Sequence, residues 1–474
     1  MKTYLLFILM FAHFVLFSQN ADSTYAGTYA GTWEGSLNVQ NTKLRILFHL
    51  KNENGTWTAT MDSPDQMQYG IKMDTVIIND KGFSLKLKAA SAVYSATLNE
   101  DAKSVNGNWV QGASYPLDMV KNFAYKPRVY PQEPIGPFPY KSVEVSYENS
   151  QAKINIGGTL TLPGEGMEKY PVILLITGSG QQDRNSAIMG HKPFLVIADH
   201  FSRRGFAVLR LDDRGIGATT GNPQAATTAD FVTDVEAGIK FLKSHPNISA
   251  DKVFLMGHSE GGIIAVMAAA KQKKALAGIV LLAGPGVPMH ELMVKQANDI
   301  LHLQGLEEEY VKAAVDFNKK LYGEILADKK NKLTPKTLSD KIIPEFKKMP
   351  AAAKEALKMN EAAVMQSSVT LLMPWFRYFI KIDPTAYLKK IKCPVLALNG
   401  GSDMQVAAGP NLEAICKNIR MKGNTDVMCT EIPGLNHLFQ RCKSCTIQEY
   451  SELDETFAPE VLKAVETWLQ KHCK

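Results

Sequence analysis

The sequence lacks several features that would point to other classes of protein. Its 53 basic and 47 acidic residues form no block of one sign, and the net charge of +6 gives no reason to expect a nucleic-acid partner. Beyond one N-terminal run it has no long apolar stretch, so no stable membrane insertion is expected. The remaining composition, 45% apolar and 21% charged residues over 474 positions, is typical of a soluble globular protein with two or three domains.

Cysteine is absent from the first 392 residues, and all six cysteines lie late in the chain. An even number permits disulfides in an exported protein, but the sequence leaves the pairing open. The spacing Cys442-x-x-Cys445 has no second cysteine pair or histidine pair at ligand spacing beside it. A local disulfide or free thiols are therefore favoured over zinc binding or redox chemistry. The six are Cys393, Cys416, Cys429, Cys442, Cys445 and Cys473.

The N-terminus has the pattern of an export signal. A charged start, Met1-Lys2-Thr3, precedes an apolar run over 4–17. That run is shorter than the roughly 20 residues that a membrane-spanning helix needs. We expect a cleaved signal peptide over 1–19 and a periplasmic or secreted protein, with an uncleaved membrane anchor as the alternative. No cysteine follows the run, so a lipid anchor is not expected.

Residues 20–125 are predicted to form a small antiparallel β domain. Apolar residues alternate with others over 44–50, 83–87 and 92–98, and turn signals such as Asn54-Gly55 separate these runs. Three tryptophans could form a platform for a ligand, but large aromatic side chains are more often buried in a core. We interpret Trp33, Trp57 and Trp109 as core, and keep a glycan or a second subunit as candidate partners of this domain.

A proline-rich linker over 126–140 separates this domain from residues 141–474, where the pattern changes. Short apolar runs there alternate with helical stretches, which predicts a parallel sheet covered on both faces. A helical, methionine-containing segment over about 287–384 interrupts the alternation and is a candidate lid, with plain core packing as the alternative. The apolar runs are Val172–Ile176, Phe206–Leu211, Val253–Met256, Ile279–Leu282 and Val395–Leu398.

The stretch Gly257-His258-Ser259-Glu260-Gly261-Gly262 carries the strongest chemical signal. It joins a predicted strand to a predicted helix, which is the context that a Gly-x-Ser-x-Gly nucleophile turn requires. Glycines allow strand and helix to fold back on each other, and the exposed serine can meet a histidine base. We predict that Ser259 is the nucleophile. The backbone N–H of Glu260 then points at a developing oxyanion.

An acid and a histidine follow in the chain order that such sites use. Asp403 lies in a glycine-rich turn after Val395–Leu398, and His437 lies in the loop after the last predicted strand. We assign His437 as general base and Asp403 as the group that orients it. His258 is the rival base and Asp383 the rival acid.

The second oxyanion donor is expected in the loop Thr177-Gly178-Ser179-Gly180-Gln181, because backbone N–H groups there need small residues for close approach. Ser179 is the first choice, and Gly180 and Gln181 stay open as alternatives. Asp213 and Arg214, at another strand exit, are expected to brace the loops and not to take part in the chemistry.

These motifs resemble the α/β-hydrolase superfamily, and more closely exported bacterial serine esterases with a small N-terminal β domain. The resemblance covers residues from about 141 to the C-terminus, and the β domain matches only in its general sequence pattern. It implies a doubly wound, mostly parallel sheet with a helical lid, and Ser259, Asp403 and His437 as a triad that needs neither cofactor nor metal. Many relatives have histidine where Thr177 stands, and the cysteines around His437 are not part of the pattern. The matching segments are Thr177-Gly178-Ser179-Gly180, Asp213-Arg214-Gly215, Gly257–Gly262, Pro374-Trp375-Phe376, Gly401-Ser402-Asp403 and Leu435-Asn436-His437-Leu438-Phe439.

We therefore predict a serine hydrolase that cleaves small-molecule carboxylic esters through an acyl-enzyme, with a lid that favours small to medium acyl groups. A serine peptidase or amidase of the same fold is the nearest alternative. A binding protein for glycan or envelope, with an inactive hydrolase domain, is the alternative from another class. An acyl-CoA thioesterase is disfavoured because export would separate the protein from CoA.

Overall fold

The computed structural model describes residues 25–39, 42–64, 68–124, 130–164, 168–272 and 276–473. The predicted signal peptide over 1–19 lies outside the described residues. The chain divides into two compact units, Met1–Pro127 and Arg128–Lys474. Across the described ranges, no helix combines the length and the apolar character needed to cross a membrane.

The N-terminal unit is an antiparallel sheet. Its strands pair in the order β4-β3-β2-β1-β10-β8-β7-β6-β5, and β9 pairs with β8. The elements are α1 (Ala26–Tyr29), β1 (Gly31–Val39), β2 (Thr42–Glu53), β3 (Thr56–Ser63), β4 (Gln68–Lys72), β5 (Thr75–Ile78), β6 (Gly82–Leu87), β7 (Ala92–Leu98), β8 (Ser104–Gln111), β9 (Ala113–Pro116) and β10 (Met119–Lys121).

The core of this unit is aromatic. Trp33 and Trp109 are buried, and Trp57 packs against the same cluster. The Trp33 indole N–H donates to the Tyr29 carbonyl at 2.8 Å, so its polar atom is satisfied inside the core. The interpretation of the three tryptophans as core residues is therefore confirmed.

The C-terminal unit contains a mixed sheet in the order β11-β12-β14-β13-β15-β16-β17-β18. The strand β12 pairs antiparallel with β11 and β14, and the strands from β14 to β18 run parallel. The elements of the sheet layer are β11 (Tyr140–Asn149), β12 (Ile154–Pro163), β13 (Tyr170–Ile176), α2 (Pro193–Ser202), β14 (Ala207–Leu211), α3 (Thr228–Ser244), β15 (Ile248–His258), α4 (Glu260–Lys271), β16 (Gly278–Leu282), β17 (Val395–Gly400), α12 (Ala408–Arg420), β18 (Val427–Ile432) and α13 (Pro459–His472).

Continuous apolar runs formed the central strands because both faces of this sheet are covered. Every residue of β13 is buried. Leu174 packs in one core with α3, α4 and α12, whereas Ile173 and Leu175 pack in the other core with α2 and α13. A strand between two cores needs apolar side chains on both faces, which removes the polar alternation of a half-exposed strand.

A helical insertion lies between β16 and β17. It has its own core, in which Phe317 and Ile325 pack against Leu338 and Ile342. The predicted fold class is thus confirmed: an antiparallel β domain precedes an α/β-hydrolase sheet that carries a helical insertion. The helices are α5 (Met289–Leu303), α6 (Glu308–Ala327), α7 (Pro335–Lys348), α8 (Ala351–Ala356), α9 (Glu361–Leu371), α10 (Pro374–Phe379) and α11 (Thr385–Leu388).

Replacing Trp33 by alanine should unfold the N-terminal sheet selectively. The substitution removes a fully buried side chain and one hydrogen bond, which costs about 3–5 kcal/mol. Hydrogen exchange followed by mass spectrometry should detect a loss of protection in peptides from β1 to β8. Val120, which is 59% exposed, supplies the control: Val120→Ala should change protection little. Equal protection in the two variants would contradict the proposed core.

Candidate active site

The turn at Ser259 joins β15 to α4 through close backbone contacts. A Cβ on Gly257 would lie 2.0 Å from the Gly261 carbonyl oxygen, and a Cβ on Gly261 would lie 2.2 Å from the Ile176 carbonyl oxygen. Only glycine fits at either position. Ser259 itself has φ 55° and ψ −122°, a backbone conformation that residues other than glycine rarely adopt. This strain is typical of a nucleophile turn, where the serine stands between strand and helix.

His437 and Asp403 form a buried hydrogen-bonded pair. His437 Nδ1 lies 2.7 Å from Asp403 Oδ2, and the two residues are 4% and 6% exposed. The other carboxylate oxygen, Oδ1, accepts the backbone N–H groups of Gln405 at 2.8 Å and Val406 at 2.9 Å. The turn after β17 therefore holds the acid in place, and the acid orients the imidazole so that Nδ1 faces away from the cavity.

The rival residues have other partners. The His258 Nε2 atom lies 2.9 Å from the His437 carbonyl oxygen, and the two rings are 4.8 Å apart. Burial lowers the pKa of His258 to about 4, so its neutral imidazole donates to that carbonyl. Asp383 accepts the Thr385 backbone N–H at the start of α11. In this arrangement His258 supports the backbone of His437, and Asp383 binds a backbone N–H at the start of α11.

The loop after β13 passes directly beside Ser259. A Cβ on Gly178 would lie 3.2 Å from the Ser259 Cβ, and Gly180 has φ 101°, in the region that favours glycine. The Ser179 hydroxyl donates to Glu260 Oε2 at 2.8 Å. The candidate oxyanion residues Ser179, Gly180 and Glu260 are therefore held together next to the serine by one loop and one helix start.

Asp213 fixes both ends of this loop. Its carboxylate accepts the Thr177 hydroxyl at 2.7 Å and the Gln182 backbone N–H at 2.8 Å. Burial raises the pKa of Asp213 to about 7. Arg214 points the other way and pairs with Asp234 on α3 at 2.6 Å. The predicted bracing by Asp213 and Arg214 is confirmed.

Sequence analysis assigned a role only to the backbone of Glu260 and missed its side chain. The residue is 2% exposed, and burial raises the pKa of its carboxyl. Thr228 Oγ1 and Trp375 Nε1 donate to Oε1 at 2.7 Å and 2.9 Å, and Ser179 donates to Oε2. The signal was present in the motif Pro374-Trp375-Phe376, which had no assigned role.

A cavity of about 250 Å³ opens at Ser259 and His437. The aromatic rings of Trp375 and Phe379 stack 4.9 Å apart in the α10 part of its wall. Among the described residues that line it, none is Asp, Glu, Lys or Arg. Its other lining side chains are apolar or uncharged and polar: Ile188, Met293, Val406, Leu438, Ser179, Gln182, Ser186, Gln296, Gln405 and His258.

The described residues contain two disulfides. Cys416–Cys429 joins α12 to β18, and Cys442–Cys445 lies in the loop after His437, so the local disulfide is the correct one of the two alternatives for this pair. Cys393 and Cys473 are free thiols. Within the described part of the chain, no group of three or more His, Cys, Asp or Glu side chains is arranged to hold a metal.

Replacing Asp213 by asparagine should flatten the pH dependence of stability. The folded-state pKa of about 7 lies above the ordinary value of 3.8, so Asp213 favours folding at low pH, and this contribution is lost as pH rises through 7. Between pH 5 and 8 the wild-type free energy of unfolding should fall by about 2–3 kcal/mol more than that of Asp213→Asn. Urea denaturation at both pH values measures the difference. Asp251 is exposed, so Asp251→Asn should keep the wild-type change in the free energy of unfolding between the two pH values. The same change in Asp213→Asn as in wild type would contradict the account.

Several known proteins are similar to parts of this chain. It is 26% identical over 294 residues to esterase EstD of Thermotoga maritima, covering 62% of this chain and 60% of EstD. It is 28% identical over 146 residues to protein bem46 of Schizosaccharomyces pombe, covering 30% of this chain and 45% of that protein. The chain thus spans less than two thirds of the length of these two curated relatives.

Solved structures overlap with about 70% of the chain. Ferulic-acid-bound Est1E of Butyrivibrio proteoclasticus is 14% identical, with a TM-score of 0.40, and covers 69% of this chain and 99% of its own. A proline iminopeptidase of Mycobacterium smegmatis is 17% identical, with a TM-score of 0.42, and covers 70% of this chain and 98% of its own.

The sequence model of one family, described as serine aminopeptidase S33, matches residues 192–440. That range is more than half of the chain and includes the serine turn, the acid turn and the histidine loop. The protein therefore belongs to the serine aminopeptidase S33 family of α/β hydrolases.

Proposed function

We propose that this α/β hydrolase cleaves carboxylic esters of small molecules through an acyl-enzyme formed on Ser259. The observation that carries the proposal is the 2.7 Å hydrogen bond between Asp403 and His437, because His437 lines the same cavity as Ser259. The similarity to esterase EstD supports the same reaction class.

The chemistry follows from the positions of these groups. The Ser259 hydroxyl attacks the acyl carbon while His437 takes its proton, and Asp403 stabilises the imidazolium that forms. The backbone N–H groups of Glu260 and of Ser179 or Gly180 bind the oxyanion. His437 then protonates the departing alcohol. Water, activated by the same histidine, releases the acid and restores the serine.

The lining of the cavity favours esters over the free-amine substrates of an aminopeptidase. A positively charged α-amino group needs an acidic side chain or a ring of carbonyl acceptors once water is excluded. The described lining residues include no acidic side chain, and the only carboxylate of the proposed triad lies behind His437. An uncharged ester meets no such requirement.

The size and walls of the cavity support short to medium acyl groups. A volume of about 250 Å³ lies below the usual range for sites that enclose drug-sized ligands. Met293 on α5 and the stacked pair Trp375 and Phe379 on α10 supply apolar surface. The helical insertion therefore supplies part of the wall of the candidate acyl pocket.

We also propose that the protein is exported and that the mature form, after removal of residues 1–19, lies in the periplasm or outside the cell. The disulfides Cys416–Cys429 and Cys442–Cys445 support this location, because such bonds persist in oxidising compartments.

Ester turnover should disappear in Ser259→Ala. Wild-type protein should hydrolyse nitrophenyl esters, with a maximum at short to medium acyl length, and should cleave peptide anilides far more slowly. The exposed Ser142→Ala supplies the control and should keep full activity. Faster anilide than ester cleavage would move the protein to the peptidases. Absence of turnover on both would favour the glycan- or envelope-binding alternative.

Replacing Asp403 by asparagine should lower kcat about 10³–10⁴-fold, because an amide holds the imidazole in the wrong tautomer. The rival acid gives the matched comparison: Asp383→Asn should leave kcat within about threefold of wild type, since its exposed carboxylate binds only the Thr385 backbone N–H at the start of α11. Steady-state kinetics on one nitrophenyl ester suffice. A larger loss in Asp383→Asn than in Asp403→Asn would reverse the assignment of the acid.

A further inference from the structure

We propose that Glu260 is a positioning residue, whose side chain holds the oxyanion loop and the acyl-pocket wall at fixed positions relative to Ser259. The proposal rests on the ester hydrolysis proposed above and adds a second role to the residue that follows the nucleophile. Its basis is a buried carboxylate with three donors from three separate elements.

The donors come from distant parts of the chain. Ser179 lies on the loop after β13, Thr228 opens α3, and Trp375 lies on α10 of the helical insertion. Their distances to the carboxylate oxygens are 2.8 Å, 2.7 Å and 2.9 Å. Glu260 itself is buried, and a low local dielectric strengthens the hydrogen bonds that its two oxygens accept. One carboxylate therefore fixes the separation between two cavity walls.

Two of the three donors line the cavity and the third does not. Ser179 and Trp375 both face the space in front of Ser259, whereas Thr228 is not among its lining residues. The hydroxyl of Thr228 anchors the carboxylate from behind. Through its hydrogen bonds to Ser179 and Trp375, Glu260 instead holds the oxyanion loop and the wall of the acyl pocket in place.

A carboxylate suits this arrangement better than an amide of the same shape. Both of its oxygens accept, and the indole N–H of Trp375 can only donate. A glutamine side chain has one acceptor oxygen, and its NH₂ group would have to face hydroxyls that can reverse. Glu260→Gln should therefore keep part of the network, whereas Glu260→Ala should lose all of it and leave the buried Thr228 hydroxyl and the half-buried Trp375 indole without this acceptor.

The consequences differ between the two cavity walls. If the oxyanion loop shifts, it misaligns N–H donors that act in the transition state. Loss of the hydrogen bond between Ser179 and Glu260 should therefore lower kcat and leave KM nearly unchanged. If Trp375 shifts, the shape of the acyl pocket changes. Loss of the hydrogen bond between Trp375 and Glu260 should therefore change KM and the preferred acyl length. A side chain that served stability alone would produce neither pattern.

The test removes one hydrogen bond at a time from the same carboxylate. Ser179→Ala should lower kcat about tenfold for every acyl length with KM within about twofold. Trp375→Phe should mainly change KM and acyl preference. Thr228→Val is the control, because it removes a hydrogen bond to the same carboxylate behind the cavity. Thr228 is buried and Ser179 is exposed, so Thr228→Val should lower Tm at least as much as Ser179→Ala but lower kcat at least about fivefold less.

Glu260→Gln and Glu260→Ala complete the series, because Gln should recover most of the kcat that Ala loses. Equal losses of kcat in Ser179→Ala and Thr228→Val, in proportion to the fall in Tm, would overturn the positioning role. So would a Glu260→Gln variant no better than Glu260→Ala when both are folded by circular dichroism.

A second readout separates this proposal from the proposed function. A fluorophosphonate probe loses fluoride as Ser259 Oγ bonds to phosphorus, and its rate depends on the oxyanion donors whatever the natural substrate. If wild type reacts with the probe but not with esters, the substrate class is wrong, and the order of probe rates among the variants still tests Glu260. A wild-type protein inert to both would overturn both proposals.

Discussion

The site depends on the contact of three backbone segments at Gly257 and Gly261. There β15, α4 and the end of β13 approach so closely that a single Cβ would lie 2.0–2.2 Å from a carbonyl oxygen. The contact forces Ser259 into its positive-φ conformation and brings the loop after β13 against the serine. The strained backbone conformation of Ser259 persists because the sheet and the helix on either side are fully packed. The packing of the α/β core offsets the free-energy cost of this conformation.

Three carboxyl groups then position the loops around that contact. Asp213 holds both ends of the oxyanion loop, Glu260 ties the middle of that loop to α10, and Asp403 orients His437. Burying a carboxyl group is costly unless donors surround it, and each of these three accepts at least two hydrogen bonds. The result is a cavity whose walls are fixed by polar contacts but whose lining carries no acidic or basic side chain other than histidine among the described residues.

Local patterns predicted the features that depend on local chemistry. Unbroken apolar runs identified β13, β15, β16 and β17, because strands buried on both faces leave no place for polar side chains. The turn at Ser259 and its order before Asp403 and His437 could be read from spacing. The side chain of Glu260 could not, because its donors lie 81, 32 and 115 positions away in sequence. The pairing Cys416–Cys429 likewise required knowledge of which helix packs on β18.

The central claim is that Ser259 carries the acyl group during turnover. Wild-type protein is mixed with excess nitrophenyl acetate, quenched in acid within the first turnovers, digested and mapped by mass spectrometry. The account predicts a burst of nitrophenol and an acetyl group on the peptide that contains Ser259, at the serine itself. Turnover without a burst, with the acetyl group absent from Ser259 or located on another residue, would contradict it.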